Sequence, residues 1–304
     1  MRRLPLVPGV LILAALGQAG RAVELKGSLV QAGPTHKLWI SCAGTGAPTL
    51  VVDVNLGSDP REWTKVVDDL RSDVRVCQYE RAGYGASEPG PFPRDARREG
   101  EELLKLLANA GEKPPYLLVG HSLGALNAYV LAGAHRDVLA GLALLHPLPL
   151  EWITGKEGAG MRDFLEKQRG KYERVAKQLL ASPYAADKSR AVRFQAMDSE
   201  QEMLLEDSAK QAAAVKTLGS LPVLVVAVSQ PNLILGPDRQ VYQDKTIEEG
   251  RKLAARSTNG KFVLLEDSGE MMQRQAPEKV ADALREFLTR VRAAPPAPPQ
   301  IKAR

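Results

Sequence analysis

An α/β fold, a mostly parallel sheet with helices on both faces and a helical insertion, is the class that three observations predict. Apolar strand-like runs alternate with amphipathic helix-like segments up to about residue 145 and again from residue 222. That alternation stops between Pro147 and Leu218, where charged helix formers dominate, as from Met161 to Ala181. Finally, Gly120-His121-Ser122-Leu123-Gly124 spells G-x-S-x-G between a short apolar strand and a helix, the sharp turn that lifts a serine above a sheet.

Val23 to Val30 and His36 to Cys42 read as two early strands, with a Gly33-Pro34 turn between them and the Gly44-Thr45-Gly46 loop after them. Thr49 to Val54 is a third, apolar enough to be buried on both faces. Asp59 to Leu70 reads as a helix with Asp59 as its cap and Trp63, Val66, Val67 and Leu70 on one side. Val74 to Tyr79 is the next strand, and Arg94 to Ala110 a leucine-rich helix ended by Gly111 and the Pro114-Pro115 breaker. Tyr116 to Val119 is a strand, Leu123 to Ala134 a helix and Leu139 to Leu145 a strand. After the insertion come a strand at Pro222 to Val228, a helix at Thr246 to Ala255, a strand at Phe262 to Leu265 and a helix at Pro277 to Val291. That makes eight strands, and the domain plan is a core of residues 23–146 and 219–293 with a helical cap at 147–218.

The two ends stand apart from this plan. Arg2 and Arg3 precede an apolar run from Leu4 to Leu16, followed by small residues to Ala22, so residues 1–22 read as a signal peptide too short to be an ordinary membrane span. A secreted or periplasmic protein is expected, without a stable membrane span after cleavage. Residues 294–304 form a proline-rich tail expected to be disordered.

At 304 residues, 44% hydrophobic and 25% charged, the composition is that of one globular domain. The net charge of +5 includes Arg2, Arg3 and Arg21, and the +2 left without them gives no basic stripe for nucleic acid. Two cysteines, Cys42 and Cys77, allow one bridge in an oxidising compartment or two buried thiols. No clustered His and carboxylate pattern indicates a metal, and no cofactor is expected.

Four blocks in order resemble the α/β-hydrolase superfamily over nearly all of the mature chain, most of all its exported bacterial members. They are the segment from Cys42 to Thr49, the loop from Tyr79 to Pro91, the serine turn, and the stretch from Leu265 to Leu284. The family commonly has aspartate where Glu80 stands. The resemblance implies the α/β-hydrolase fold, hydrolysis of carboxylic esters or related acyl compounds, and a Ser122 nucleophile. It also makes the second and fourth strands neighbours, so that Cys42 and Cys77 could pair. An oxyanion needs donors: the amide after the nucleophile is that of Leu123, and the resemblance supplies Leu56, preceded by Asn55 where the family usually has glycine.

The base is the difficulty. Where the family has S-G-H after its last strand, this chain has Ser268-Gly269-Glu270. A carboxylate with a pKa of about 4 is a poor general base for a serine hydroxyl. Of the four histidines, His36 starts an early strand, His135 suits the carboxyl end of a helix, and His121 belongs to the packing around the turn. His146 ends the strand from Leu139, where some members of the fold carry the triad acid. One arrangement therefore exchanges the pair, with His146 as base and Glu270 orienting it. The other pairs the two beside an idle serine, and leaves a relative that binds a small apolar ligand or a partner. The sequence is silent on oligomeric state.

Overall fold

The computed structural model describes residues 26–232, 235 and 238–294. The expected leader and all of the expected tail but residue 294 lie outside these residues, as do the first three residues of the first expected strand. Among the described residues no helix is long and apolar enough to cross a membrane.

Eight strands form one sheet in the order β1-β2-β4-β3-β5-β6-β7-β8. They are β1 (Ser28–Gln31), β2 (Lys37–Ala43), β3 (Thr49–Asp53), β4 (Val76–Tyr79), β5 (Tyr116–His121), β6 (Leu139–Leu145), β7 (Val223–Val228) and β8 (Gly260–Leu265). The β1–β2 and β2–β4 pairs are antiparallel, and every other pair is parallel. This is the α/β-hydrolase architecture expected from the sequence.

The central strands are buried on both faces, and their period of two sorts side chains into two cores. Val51, Leu118 and Leu142 belong to one layer, while Leu50, Val52, Leu117, Val119 and Ala143 belong to the other. Helices α2 (Ala96–Asn109) and α3 (Leu123–Ala134) contribute to the first layer. Helix α1 (Thr64–Leu70) and the last helix, α10 (Pro277–Ala293), fill the second with Val66, Leu70, Leu284 and Phe287. Burying each such side chain contributes roughly 1.5–3 kcal/mol before entropy is counted.

The caps explain two helix starts. Asp59 accepts the Arg61 amide at 2.9 Å but opens a 3₁₀ turn, Pro60–Trp63, so the expected single helix is a 3₁₀ turn followed by α1. Asp95 accepts from the amides of Arg97 and Arg98 and starts α2 two residues later than expected.

Between β6 and β7 the chain is helical: α4 (Leu150–Thr154), α5 (Ala159–Ala181), α6 (Ala185–Leu205) and α7 (Asp207–Ala214), with no named strand. Helix α8 (Arg239–Ala254) begins seven residues before its expected start and buries Tyr242 and Gln243 in that stretch, where only Val241 and Tyr242 are apolar, too few to mark a helical period. A short α9 (Met272–Gln275) was not expected. Cys42 and Cys77 stand opposite each other in the β2–β4 register and form a disulfide. This settles the choice that composition left open.

Candidate active site

The nucleophile turn is built from crowding. Ser122 has φ 53° and ψ −111°, a backbone conformation that a side-chain-bearing residue rarely adopts. A Cβ on Gly120 would lie 2.3 Å from the Gly124 carbonyl oxygen, and one on Gly124 would lie 2.3 Å from that of Asp53. Only glycine at both positions lets β5 turn into α3 while the turn packs against the end of β3. Ser122 is held by its amide, which donates to the Leu145 carbonyl at 3.0 Å, and its side chain stands at the N-terminus of α3.

Packing against β3 brings the next loop to the serine. The Leu56 and Leu123 amides, the two expected oxyanion donors, donate to no acceptor among the described residues. The carbonyls just before Leu56 are fixed: Arg81 Nη1 donates to Val54 O at 2.6 Å and Nη2 to Asn55 O at 3.3 Å. Arg81 is 2% exposed and pairs with Asp53 Oδ1 at 2.7 Å and Glu200 Oε1 at 3.0 Å. The neighbouring Glu80 closes its own loop, accepting the Ala86 amide at 2.6 Å, and Gly85 leaves room for its carboxylate.

His121 is wholly buried, and burial lowers its pKa to about 4 against the opposing bond to Glu270. The ring is therefore neutral, and its Nε2–H donates to the Glu270 carbonyl at 3.0 Å while Trp63 packs edge-on with centroids 5.7 Å apart. It clamps the backbone at the position where the family has its histidine.

The Glu270 side chain takes a partner that the sequence did not suggest. Asn232, in the loop after β7, donates its amide to Glu270 Oε2, a polarity set by the carboxylate, which only accepts. Burial raises the pKa of Glu270, and the Asn232 bond opposes that rise.

His146 follows β6 with φ 45° and is 1% exposed. Burial first, and then the neighbouring His121, lower its pKa to about 3. Its ring faces Tyr242 at 6.5 Å between centroids, and its Nδ1 has no hydrogen-bond partner. Among the described residues His146 hydrogen-bonds neither Ser122 nor Glu270, and nothing hydrogen-bonds Ser122 Oγ. Neither arrangement that the sequence left open, the exchanged pair or a direct His146–Glu270 pair, is hydrogen-bonded among the described residues, and Glu270 Oε2 accepts from Asn232 instead. His135 caps the end of α3, and His36 Nε2 lies 3.3 Å from Glu102, both remote from the serine.

Arg81, Glu200, Asn232 and Tyr242 escaped the sequence reading. Arg81 lies inside the loop from Tyr79 to Pro91, where nothing in the spacing singles it out, and Asn232 stands beside Pro231 in an irregular stretch after the seventh strand. Glu200 resembled any solvated charge of the insertion, and nothing in its spacing marks it as buried. A cavity of about 190 Å³ runs along α3, lined by Ala125, Leu126, Leu148 and Leu253 with Glu151 and Arg256 among its charged residues; Ser122, Leu56 and Glu270 do not line it. The group of Cys42, Cys77 and Glu112 is compact enough for an ion, but its thiols are joined in the disulfide.

Known proteins share both the sequence pattern and the architecture. The chain is 33% identical over 104 residues to the uncharacterized protein YqjL of Bacillus subtilis, covering 34% of this chain and 41% of that one. It therefore spans about two fifths of that relative's length. A thermophilic esterase from Thermogutta terrifontis superposes with a TM-score of 0.62 at 21% identity, over 88% of this chain and 99% of the esterase. The bromoperoxidase from Bacillus anthracis gives 0.63 at 15% identity, over 87% and 100%. At these identities the structural matches speak for the fold alone. The model of the alpha/beta hydrolase family matches residues 44–283, and with the eight-stranded sheet and the serine turn in place, the chain belongs to the alpha/beta hydrolase family.

Proposed function

We propose that this protein is a serine hydrolase of carboxylic esters or related acyl compounds, acting slowly through a Ser122 acyl-enzyme. The observation that carries the reading is the turn itself: a strained Ser122 at the head of α3, followed by the Leu123 amide, which like that of Leu56 in the loop after β3 engages no other acceptor among the described residues.

Glu270 is the better candidate for proton acceptor. Its raised pKa brings it closer to the working range of a base, whereas His146, lowered to about 3, is an imidazole that resists protonation. Ser122 Oγ attacks the acyl carbon as its proton passes to Glu270, and the Leu56 and Leu123 amides receive the negative oxygen. The tetrahedral species collapses with the proton returned to the leaving alkoxide, and a water repeats the sequence to release the acid. With a carboxylate in place of imidazole, the rate falls by about 10³-fold or more from a complete triad. A second reading, an idle serine in a ligand-binding relative, is favoured by the unbonded Oγ and by the 7% exposure of Ser122.

Fluorophosphonate labelling and short-chain activated esters separate the two. Labelling of wild type, its loss in Ser122→Ala and a strong reduction in Glu270→Gln are expected, with His146→Asn close to wild type. Glu270→His should raise the rate at least about tenfold by restoring an imidazole. A serine that stays unlabelled at every concentration and pH would leave the binding reading.

A further inference from the structure

Helix α6 of the insertion meets the Leu56 loop directly and also through Arg81. Arg193 donates through Nη2 to the Gly57 carbonyl, and Met197 Cε would lie 2.8 Å from a Cβ on Gly57. Glu200 holds Arg81 through Oε1 at 3.0 Å and Oε2 at 3.3 Å, while Tyr84 donates its hydroxyl to the same carboxylate at 2.6 Å. Residues 193, 197 and 200 lie on one helical face at spacings of four and three.

Arg81 transmits this contact to two successive peptide units, Val54–Asn55 and Asn55–Leu56. The Asn55 carbonyl and the Leu56 N–H belong to one rigid plane and point in opposite directions. The Asn55 carbonyl accepts the Ser58 amide at 3.2 Å and Arg81 Nη2 at 3.3 Å, so the guanidinium helps this turn fix where the Leu56 N–H aims, and by drawing electron density towards the carbonyl makes that N–H a stronger donor. Arg81 is itself held in one pose by Asp53 Oδ1 at 2.7 Å and by Val54 O at 2.6 Å. The remaining side of its guanidinium faces Glu200, which the insertion supplies.

We propose that Arg81 is the positioning residue for the Leu56 oxyanion amide, and that Glu200 makes this positioning depend on the seating of the insertion against the core. This rests on the acyl-transfer reading of Ser122. Displacing α6 would take the Glu200 carboxylate from Arg81, leaving Asp53 at 2.7 Å and Glu99 at 3.8 Å, and would loosen the hold of the guanidinium on the Asn55–Leu56 peptide, so that the donor is aimed best when the insertion is seated.

Glu200→Gln tests this with shape retained and charge removed. In the ¹⁵N-labelled full chain, the Leu56 amide resonance should move and its hydrogen exchange should quicken, while Glu102→Gln, which touches Arg94 but makes no bond to Arg81, leaves both unchanged. The first-order phosphonylation constant of Ser122 should fall about tenfold in Glu200→Gln, with the half-saturating probe concentration unaltered. Oxoesters should lose more rate than the matching thionoesters, whose sulfur accepts hydrogen bonds weakly, a split that plain destabilisation would not give. Arg81→Lys, able to reach fewer of the same carbonyls, should lie in the same direction. If wild type is never labelled, the acyl-transfer reading fails, and the Leu56 amide alone decides the coupling. A Leu56 amide indifferent to both Glu200→Gln and Arg81→Lys overturns it.

Discussion

Two neutral histidines, His121 and His146, weaken this molecule towards acid pH. Their pKa values, lowered by burial to about 4 and about 3, lie beneath the value of about 6.5 that each recovers on unfolding. Below pH 6.5 the unfolded chain therefore binds more protons than the folded one, and stability falls with pH by up to about 1.4 kcal/mol per unit per histidine. The loss continues down to pH 4 for His121 and pH 3 for His146. Glu270 works with the opposite sign: its raised pKa contributes stability that is present below the ordinary carboxylate value and lost as pH rises through its folded value. Denaturant midpoints measured from pH 7 to 4.5 carry this loss against the opposite contribution of Glu270 and of other buried carboxylates such as Glu99, so the histidine contribution is read as the difference between wild type and a variant. In His146→Asn, whose side chain does not titrate and tolerates the positive φ, the slope should shrink by about one proton. An unchanged slope would mean that His146 is charged in the folded state.

At the level of elements, the serine turn is a junction between β5, α3 and the end of β3, and Gly124 is its narrowest point. An alanine there drives its Cβ to 2.3 Å from the Asp53 carbonyl and 2.9 Å from that of Val54, both backbone atoms with no rotamer to yield. Gly124→Ala should destabilise by about 1–3 kcal/mol, read from denaturant unfolding. It should also slow labelling of Ser122, because the strand that shifts carries the Val54–Leu56 loop. Stability and labelling both equal to wild type would show that the turn has slack. The Cys42–Cys77 bridge secures the opposite half of the sheet, closing a loop of sequence separation 35 across the antiparallel β2–β4 pair. Such a closure contributes roughly 2–4 kcal/mol.

Across the whole molecule, what could be read in advance was whatever repeats or packs locally. The strands from Leu139 and Thr49 and the helix from Leu123 followed from period and punctuation, because a sheet buried on both faces writes itself as unbroken apolar runs. Ser122 was legible because a sharp turn demands glycines at fixed offsets. Asn232 and Glu200 were not, since each owes its role to a partner 38 and 119 residues away, and no local period records such a meeting. The same reason hid the buried ion network joining α2, the Arg81 loop and α6. Arg94, 2% exposed, lies 2.7 Å from Glu99 and 2.6 Å from Glu102. Burial of Glu99, opposed by Arg94, raises its pKa to about 8, so the group is sensitive to any loss of countercharge. Removing Arg94 alone strands two carboxylates in the interior, and Arg94→Leu should destabilise by about 3–5 kcal/mol. Replacing the cluster together, with Arg94→Leu, Glu99→Leu and Glu102→Leu in one chain, exchanges desolvated charge for packing and should destabilise less than the single change. Guanidinium midpoints of the two variants decide the matter: a triple variant weaker than Arg94→Leu would mean that the charges hold the insertion to the core by more than mutual compensation.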